Sequence, residues 1–367
     1  MTSRVPALDL TNDVVELTRA LVDIESVSHH EGPIADAVEA ALRALPHLEV
    51  ERFADTIVAR TNLGRPERVV IAGHLDTVPL NENLPSTQDD EFLHGLGTCD
   101  MKGGDAVMLR LAATVPEPVR DITYVFYEGE EVEAIHNGLG KLAVRDPEAL
   151  AADFAILMEP TDGIIEGGCQ GTLRVEVRTS GVRAHSARAW NGVNAIHLAA
   201  PILATLNEYE PRRPVIDGLE YREGLNAVFI SGGVAGNVVP DECVVTVNFR
   251  FPPDRTEDEA LAHLRDTVFA GYDVRVVDSS PGALPGLDRA PAKAFVDAVT
   301  SVLRREGPLV KPKFGWTDVA RFSVLGVPAV NFGPGDPMFA HKQDEHVPIA
   351  QLVECERVLR DWLTDER

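Results

Sequence analysis

Arg68-Val69-Val70-Ile71-Ala72-Gly73-His74-Leu75-Asp76-Thr77 is the stretch on which the reading of this chain turns. Arg68 to Ala72 is a short β-branched run and reads as a buried strand. His74 and Asp76 close it. In extended backbone, residues two apart face the same side, so an imidazole and a carboxylate point one way. They do so at the carboxyl end of a strand, where open α/β sheets place their sites. Downstream, Gly97-Thr98-Cys99-Asp100-Met101-Lys102-Gly103-Gly104 puts Asp100 in a glycine-rich turn, and helical periodicity follows from Asp105. A strand end and a helix start thus bring together donor types suited to a metal ion.

Two more strands end the same way. Ile122 to Tyr127 stops at Glu128-Gly129-Glu130-Glu131, and Phe154 to Met158 stops at Glu159-Pro160-Thr161. One buried strand ending in a charge is commonplace. Three ending in ligand types are harder to ascribe to solvation. Ahead of them lie helical patterning over residues 10–45, interrupted at Ser26-Val27-Ser28, and a strand from Val50 to Arg60.

Near residue 173 the pattern changes. Leu173-Arg-Val-Glu-Val-Arg alternates as a half-exposed antiparallel strand should. A helix (Val193–Asn207), two strands (Ala227–Gly232, Cys243–Arg250), a helix (Glu257–Val268) and a strand (Tyr272–Val277) follow. This order is that of a ferredoxin-like α+β sandwich. Ser279 to Gly286 reads as a linker, after which a helix (Ala292–Arg305) and a strand from Ala329 resume. The fold expected is α/β, with a mixed central sheet flanked by helices over residues 1–172 and 287–367 and an inserted α+β domain over 173–286.

Composition bounds the function. At 367 residues the chain exceeds a single core. A net charge of −24 argues against nucleic acid and anionic membrane surfaces as partners. An anionic substrate would then need local Arg, Lys or metal. No stretch approaches 18 unbroken apolar residues, and the start lacks the apolar core of a signal peptide. Cys99, Cys169, Cys243 and Cys355 are scattered without a CxxC, which suits reduced thiols in the cytoplasm rather than a disulfide framework or a thiolate zinc site.

Gly73 to Pro79, Gly95 to Gly104, Glu130-Glu131, Met158-Glu159-Pro160 and Ala340-His341-Lys342 together resemble the di-zinc aminoacylase and carboxypeptidase family, in the right order over nearly the whole chain. The resemblance implies a zinc-peptidase-like catalytic domain with two zinc ions per subunit, for which cobalt or manganese could substitute. His74 and Glu159 would hold one ion, His341 and Glu131 the other, and Asp100 would bridge. Glu130 would be the general base. Asp76 would accept the second ring N–H of His74 and fix its tautomer. Two divalent ions bring four positive charges; Asp100, Glu131 and Glu159 offset three, and a shared hydroxide the fourth.

Ser180 to Ala187 is similar to a family segment whose histidine, here His185, reaches the neighbouring subunit's site and stabilises the oxyanion. A homodimer formed through the inserted domain is therefore implied. Asn237, Arg250 and Thr317 match positions that hold substrate, and Arg250 could clamp a carboxylate bidentately. The substrate class implied is a small anionic N-acyl amino acid. Glu166 to Arg174 and Tyr127 to Glu131 are most similar to the actinobacterial members that hydrolyse N-succinyl-LL-2,6-diaminoheptanedioate, although Gly168-Cys169-Gln170-Gly171 lacks the arginine pair of the better-known pattern. The other readings are an acetylornithine-type deacetylase or dipeptidase on this scaffold, or a catalytically silent relative that only binds ligand.

Overall fold

The computed structural model describes residues 7–303 and 306–365 of the chain. In chain order the main strands are β1 (Glu49–Phe53), β2 (Thr56–Arg60), β3 (Arg68–His74), β4 (Asp121–Tyr127), β5 (Phe154–Leu157) and β6 (Ile165–Gly167). Then come β7 (Gly171–Ser180), β8 (Gly224–Gly232), β9 (Glu242–Phe251) and β10 (Asp273–Ser280). The last two are β11 (Val310–Pro312) and β12 (Ala329–Asn331).

The chain divides into two compact units, one of Met1–Gly167, Pro285–Lys311 and Arg321–Arg367, the other of Gly168–Leu284 and Pro312–Ala320. Pro312–Ala320, expected in the larger domain, groups with the second unit, and Thr317 goes with it. Local patterning could not show this, because membership is decided by distant contacts. One such contact is the Trp316 indole N–H donating to Pro281 O at 3.0 Å.

The first unit holds an eight-stranded mixed sheet in the order β1-β2-β4-β3-β5-β12-β6-β11. β3 pairs in parallel with β4 and β5, and β12 in parallel with β5. Central strands are covered on both faces, so Val69 to Ala72, Ile122 to Tyr127 and Phe154 to Leu157 are apolar without alternation and fully buried. Each such side chain contributes about 1.5–3 kcal/mol by leaving water. Helices Val14–Val22, Lys102–Thr114 and Ile349–Thr364 pack against one another and join the core with Leu17, Leu111 and Leu359. Asp13 caps the first by accepting from Val15 and Glu16 N–H.

The second unit is a four-stranded antiparallel sheet in the order β8-β9-β7-β10, with its helices between β7 and β8 and between β9 and β10. Val175, Val177, Val245 and Val247 face those helices and bury Ala199, Ile202 and Leu264. Its two ends leave side by side: Cys169 and Ala283 exchange N–H···O bonds at 3.0 Å.

Several boundaries differ from expectation. Val50 to Arg60 is a hairpin rather than one strand, turned by Ala54 at φ +57° without a glycine to signal it. The helix expected over Val193–Asn207 is two, Ala195–Leu198 and Ala200–Glu208. Pro201 sits in the first turn of the second, where its missing N–H is tolerated. Helix Glu257–His263 gives way to a π-turn over Leu264–Val268. Ser279 and Ser280 belong to β10 instead of a linker. Helix Ala290–Val302 is observed where Ala292–Arg305 was expected; Arg304 and Arg305, like the first six residues, lie outside the described residues. Among the described residues no helix is long and apolar enough to cross a membrane.

Candidate metal centre

The site is assembled at the carboxyl ends of β3, β4 and β5, where parallel pairing sets three strand ends abreast. His74 ends β3 and is buried. Glu130 and Glu131 follow β4, and Glu159 follows β5. Gly104 and Gly333 close on the strand end before Glu159: a Cβ on the first would fall 2.5 Å and on the second 2.3 Å from Met158 O. Only glycine allows that approach.

Three groups of ligand atoms result, each within 4.8 Å of one another: His74/Asp100/Glu159, His74/Glu130/Glu131 and Asp100/Glu131/His341. Asp100 stands in the middle. Its Oδ1 lies 3.1 Å from His74 Nε2 and its Oδ2 lies 3.4 Å from His341 Nε2. His341 Nε2 is also 2.9 Å from Glu131 Oε1. His341 adopts φ +66°, a conformation rare outside glycine and concentrated at functional sites. The Asp100–Met101 peptide is cis.

Charge in the site is lopsided. Burial works to lower the His74 pKa, but Asp100, Asp76 and Glu130 raise it well above the ordinary value. Asp100 and Glu131 bring His341 up to about 10. Burial works to raise Asp100, yet the His341 and His74 imidazoles hold it well below the usual carboxylate range. Burial pushes Glu131 up. Among the described residues, the ion-pair partners of Asp100 and Glu131 are imidazoles alone. The groups hold nitrogen and carboxylate oxygen and no cysteine. A donor set of this chemistry, short of positive charge, fits divalent cations in open rather than closed structural positions.

The expected hydrogen bond between Asp76 and His74 is replaced by another. His74 Nδ1 meets the main-chain carbonyl of Asp76 at 3.0 Å, while the nearer carboxylate oxygen is 3.6 Å away. The tautomer is still fixed, by backbone. The Asp76 carboxylate instead accepts from Glu130 N–H at 3.0 Å, Glu131 N–H at 3.1 Å and Ser28 Oγ at 2.7 Å.

Two residues escaped sequence reasoning. Glu345 accepts from the N–H groups of Cys99 and Asp100 with one oxygen, both at 3.1 Å, so it ties the loop of His341 to the loop of Asp100. Burial pushes its pKa up to about 7. Asp105 is fully buried with no hydrogen-bond partner on either carboxylate oxygen, and burial raises its pKa well above the ordinary value. Neither carries a motif; only the four-residue spacing of Glu345 from His341 hinted at a shared loop.

The remaining residues singled out by sequence lie in the second unit. His185 is exposed on a two-residue strand paired with Val238–Val239, and Ser186 N–H donates to Asn237 O at 2.9 Å. The His185 Nδ1 accepts from Ala187 N–H at 3.0 Å. Arg250 lies on β9 and is half-buried; Thr317 is buried.

The chain is similar to known proteins over almost all its length. It is 53% identical over 359 residues to a Mycobacterium tuberculosis protein provisionally named a succinyl-diaminopimelate desuccinylase, covering 97% of this chain and 99% of the other. It is 48% identical to the succinyl-diaminopimelate desuccinylase of Corynebacterium glutamicum, covering 98% of each. Among solved structures, a tripeptidase from Staphylococcus aureus superposes with a TM-score of 0.79 at 22% identity, covering 97% of this chain and 98% of that one. That likeness speaks for the fold. Residues 70–365 match the sequence pattern of one peptidase family. With strand ends, ligand groups and relatives in agreement, the chain belongs to peptidase family M20/M25/M40.

Proposed function

We propose that this protein is a metal-dependent amide hydrolase that cleaves N-succinyl-LL-2,6-diaminoheptanedioate to succinate and LL-2,6-diaminoheptanedioate, a step toward lysine and diaminopimelate. The observation that carries this is identity of 48–53% to desuccinylases over at least 97% of the chain, together with the three ligand groups. The ions are zinc, two per subunit, in the reading the donor set favours. His74 and Glu159 would hold one and His341 and Glu131 the other, with Asp100 a member of both ligand groups. Bound there, the ions would polarise the amide carbonyl and lower the pKa of the attacking water.

The chain's own residues do the rest. Glu130 is the general base. It belongs to the group formed with His74 and Glu131, near enough to the ligands to take the proton of the attacking water. It returns that proton to the amine as the C–N bond breaks. Asp76 positions it through its backbone N–H. His185 supplies a donor to the developing oxyanion. Its Nδ1 accepts from Ala187, which leaves the ring proton on Nε2. Asn237, Arg250 and Thr317 hold substrate. A homodimer formed through the second unit is supported by β8, an edge strand whose Val228, Phe229 and Ile230 are exposed by 45%, 72% and 52%. An apolar edge of this kind calls for a covering partner.

The test is to assay zinc-loaded protein against N-succinyl-LL-diaminopimelate, N-acetylornithine and a dipeptide panel. Turnover of the succinyl substrate well above the others is expected. Preference for either other class overturns the reading.

A further inference from the structure

Two histidines outside the metal centre face one another in the first unit, across the small sheet of Thr87–Gln88, Phe92–His94 and His346–Pro348. His346 lies directly opposite His94 in antiparallel register, and Val347 opposite Leu93. Leu93 and Val347 are fully buried, so by strand alternation the two imidazoles share the outer face. Their ring centroids are 5.4 Å apart. Zinc–nitrogen bonds of about 2.0–2.1 Å at tetrahedral angles put two imidazoles on one ion with ring centres about 5 Å apart. Phe339 and Phe92 pack on the His346 ring, with centroids 4.1 Å and 4.8 Å away.

The proton on each ring is placed by its partner. His94 Nε2 donates to Asp89 Oδ2 at 3.0 Å. That bond brings the Asp89 carboxyl down to about 2, so Asp89 is the acceptor. His346 Nδ1 donates at 2.7 Å to the main-chain carbonyl of Asp344, which can only accept. In the neutral rings the open lone pairs are then on His94 Nδ1 and His346 Nε2, and neither nitrogen makes a hydrogen bond among the described residues. A metal-ligating histidine almost always has its other ring N–H tied in this way, to a carboxylate or a main-chain carbonyl. The surroundings are acidic, with Asp89-Asp90-Glu91 ahead of one strand and Asp344-Glu345 ahead of the other. His94, His346 and Asp89 are not members of the three ligand groups of the metal centre.

We infer that His94 and His346 form a peripheral divalent-cation site, with Asp89 orienting His94 and water filling the remaining positions. The ligand is a borderline cation of the zinc class, which imidazole suits. An ion held there pins together the two strands that run into the loops of the metal centre. His94 leads directly into the loop of Asp100, and His346 directly follows the loop of His341 and Glu345. Beside the pair, Gly95 N–H donates to Glu345 O at 3.1 Å. The inference is independent of which amide the protein cleaves.

The test uses protein loaded with zinc at its metal centre, freed of loose ion by gel filtration and titrated calorimetrically with zinc chloride. Wild type is expected to take up one further equivalent per chain. His94→Gln, at a side chain with 37% exposure, loses that uptake or weakens it by about ten-fold or more, while the zinc retained through gel filtration and the turnover stay unchanged. His346→Gln shows the same loss of uptake. Asp89→Asn weakens uptake by about 10–100-fold, as loss of an orienting partner does; unaltered uptake in this variant removes the role given to Asp89. A wild type that binds no further equivalent overturns the site, and so does uptake at full affinity in His94→Gln.

Discussion

The carboxylate of Asp76 accepts the backbone N–H of Glu131 at 3.1 Å with one oxygen, and the other oxygen accepts the adjacent Glu130 N–H at 3.0 Å. β4 ends at Tyr127, so those two N–H groups have left the sheet ladder and need acceptors of their own. Asp76 is fully buried and supplies both. The strand end of His74 thereby sets the backbone from which Glu130 and Glu131 project.

Asp76→Ala leaves two N–H groups and the Ser28 hydroxyl without this acceptor. Each buried orphan costs about 1–3 kcal/mol, so a loss of at least about 2 kcal/mol and a lower Tm are expected in denaturant and thermal unfolding. Metal binding at the Glu131 group weakens in parallel. A variant that unfolds and binds metal as wild type removes the positioning role.

Glu130→Gln is isosteric but cannot accept a proton. Turnover is expected to fall at least about 100-fold, with metal stoichiometry unchanged by elemental analysis, as befits a lost general base. Near-wild-type turnover would remove the assignment.

His185→Ala should lower kcat by about 100-fold or more, in the range seen when an oxyanion donor is lost, and leave metal content untouched. Loss of metal in this variant would mean that His185 is a ligand. Mixing it with inactive Glu130→Gln protein tests the dimer. If each site borrows the partner's histidine, mixed dimers regain part of the activity of one site; no regain speaks against sharing.

Asp121 gives a pH dependence remote from the metal groups. It accepts from Leu63 N–H and Arg65 N–H at 2.8 Å and from Thr61 Oγ1 at 3.0 Å. Burial works to raise its pKa, but these bonds hold it below 3.8. A folded-state pKa below the unfolded one stabilises above the unfolded value, and the gain is lost as pH falls through the folded value. Asp121→Asn should therefore destabilise by about 1–3 kcal/mol at neutral pH, with the gap narrowing as pH drops below 3.8. A gap of constant size across that range, measured by unfolding at each pH, contradicts the account.

Much of this architecture was legible in the chain because its informative stretches are local. The runs before His74, Glu130 and Glu159 are apolar without alternation, as strands covered on both faces must be, and each ends in a ligand type. What stayed hidden depends on partners far away in sequence. Asp76 offered no sign that its carboxylate serves amides at Glu130 and Glu131 while its carbonyl serves His74. Glu345 looked like one acid among 58 Asp and Glu. Ala54 turns a hairpin with no glycine, and Pro312–Ala320 joined the second unit through contacts that no local pattern encodes.

The place of β12 bears on biosynthesis. It lies between β5 and β6, yet a ribosome makes it only after the whole second unit has emerged. During translation those two strands wait across a gap for a segment still to be polymerised, and His341 arrives later again. A chain cut short before that point has neither a continuous eight-stranded sheet nor the Asp100/Glu131/His341 group.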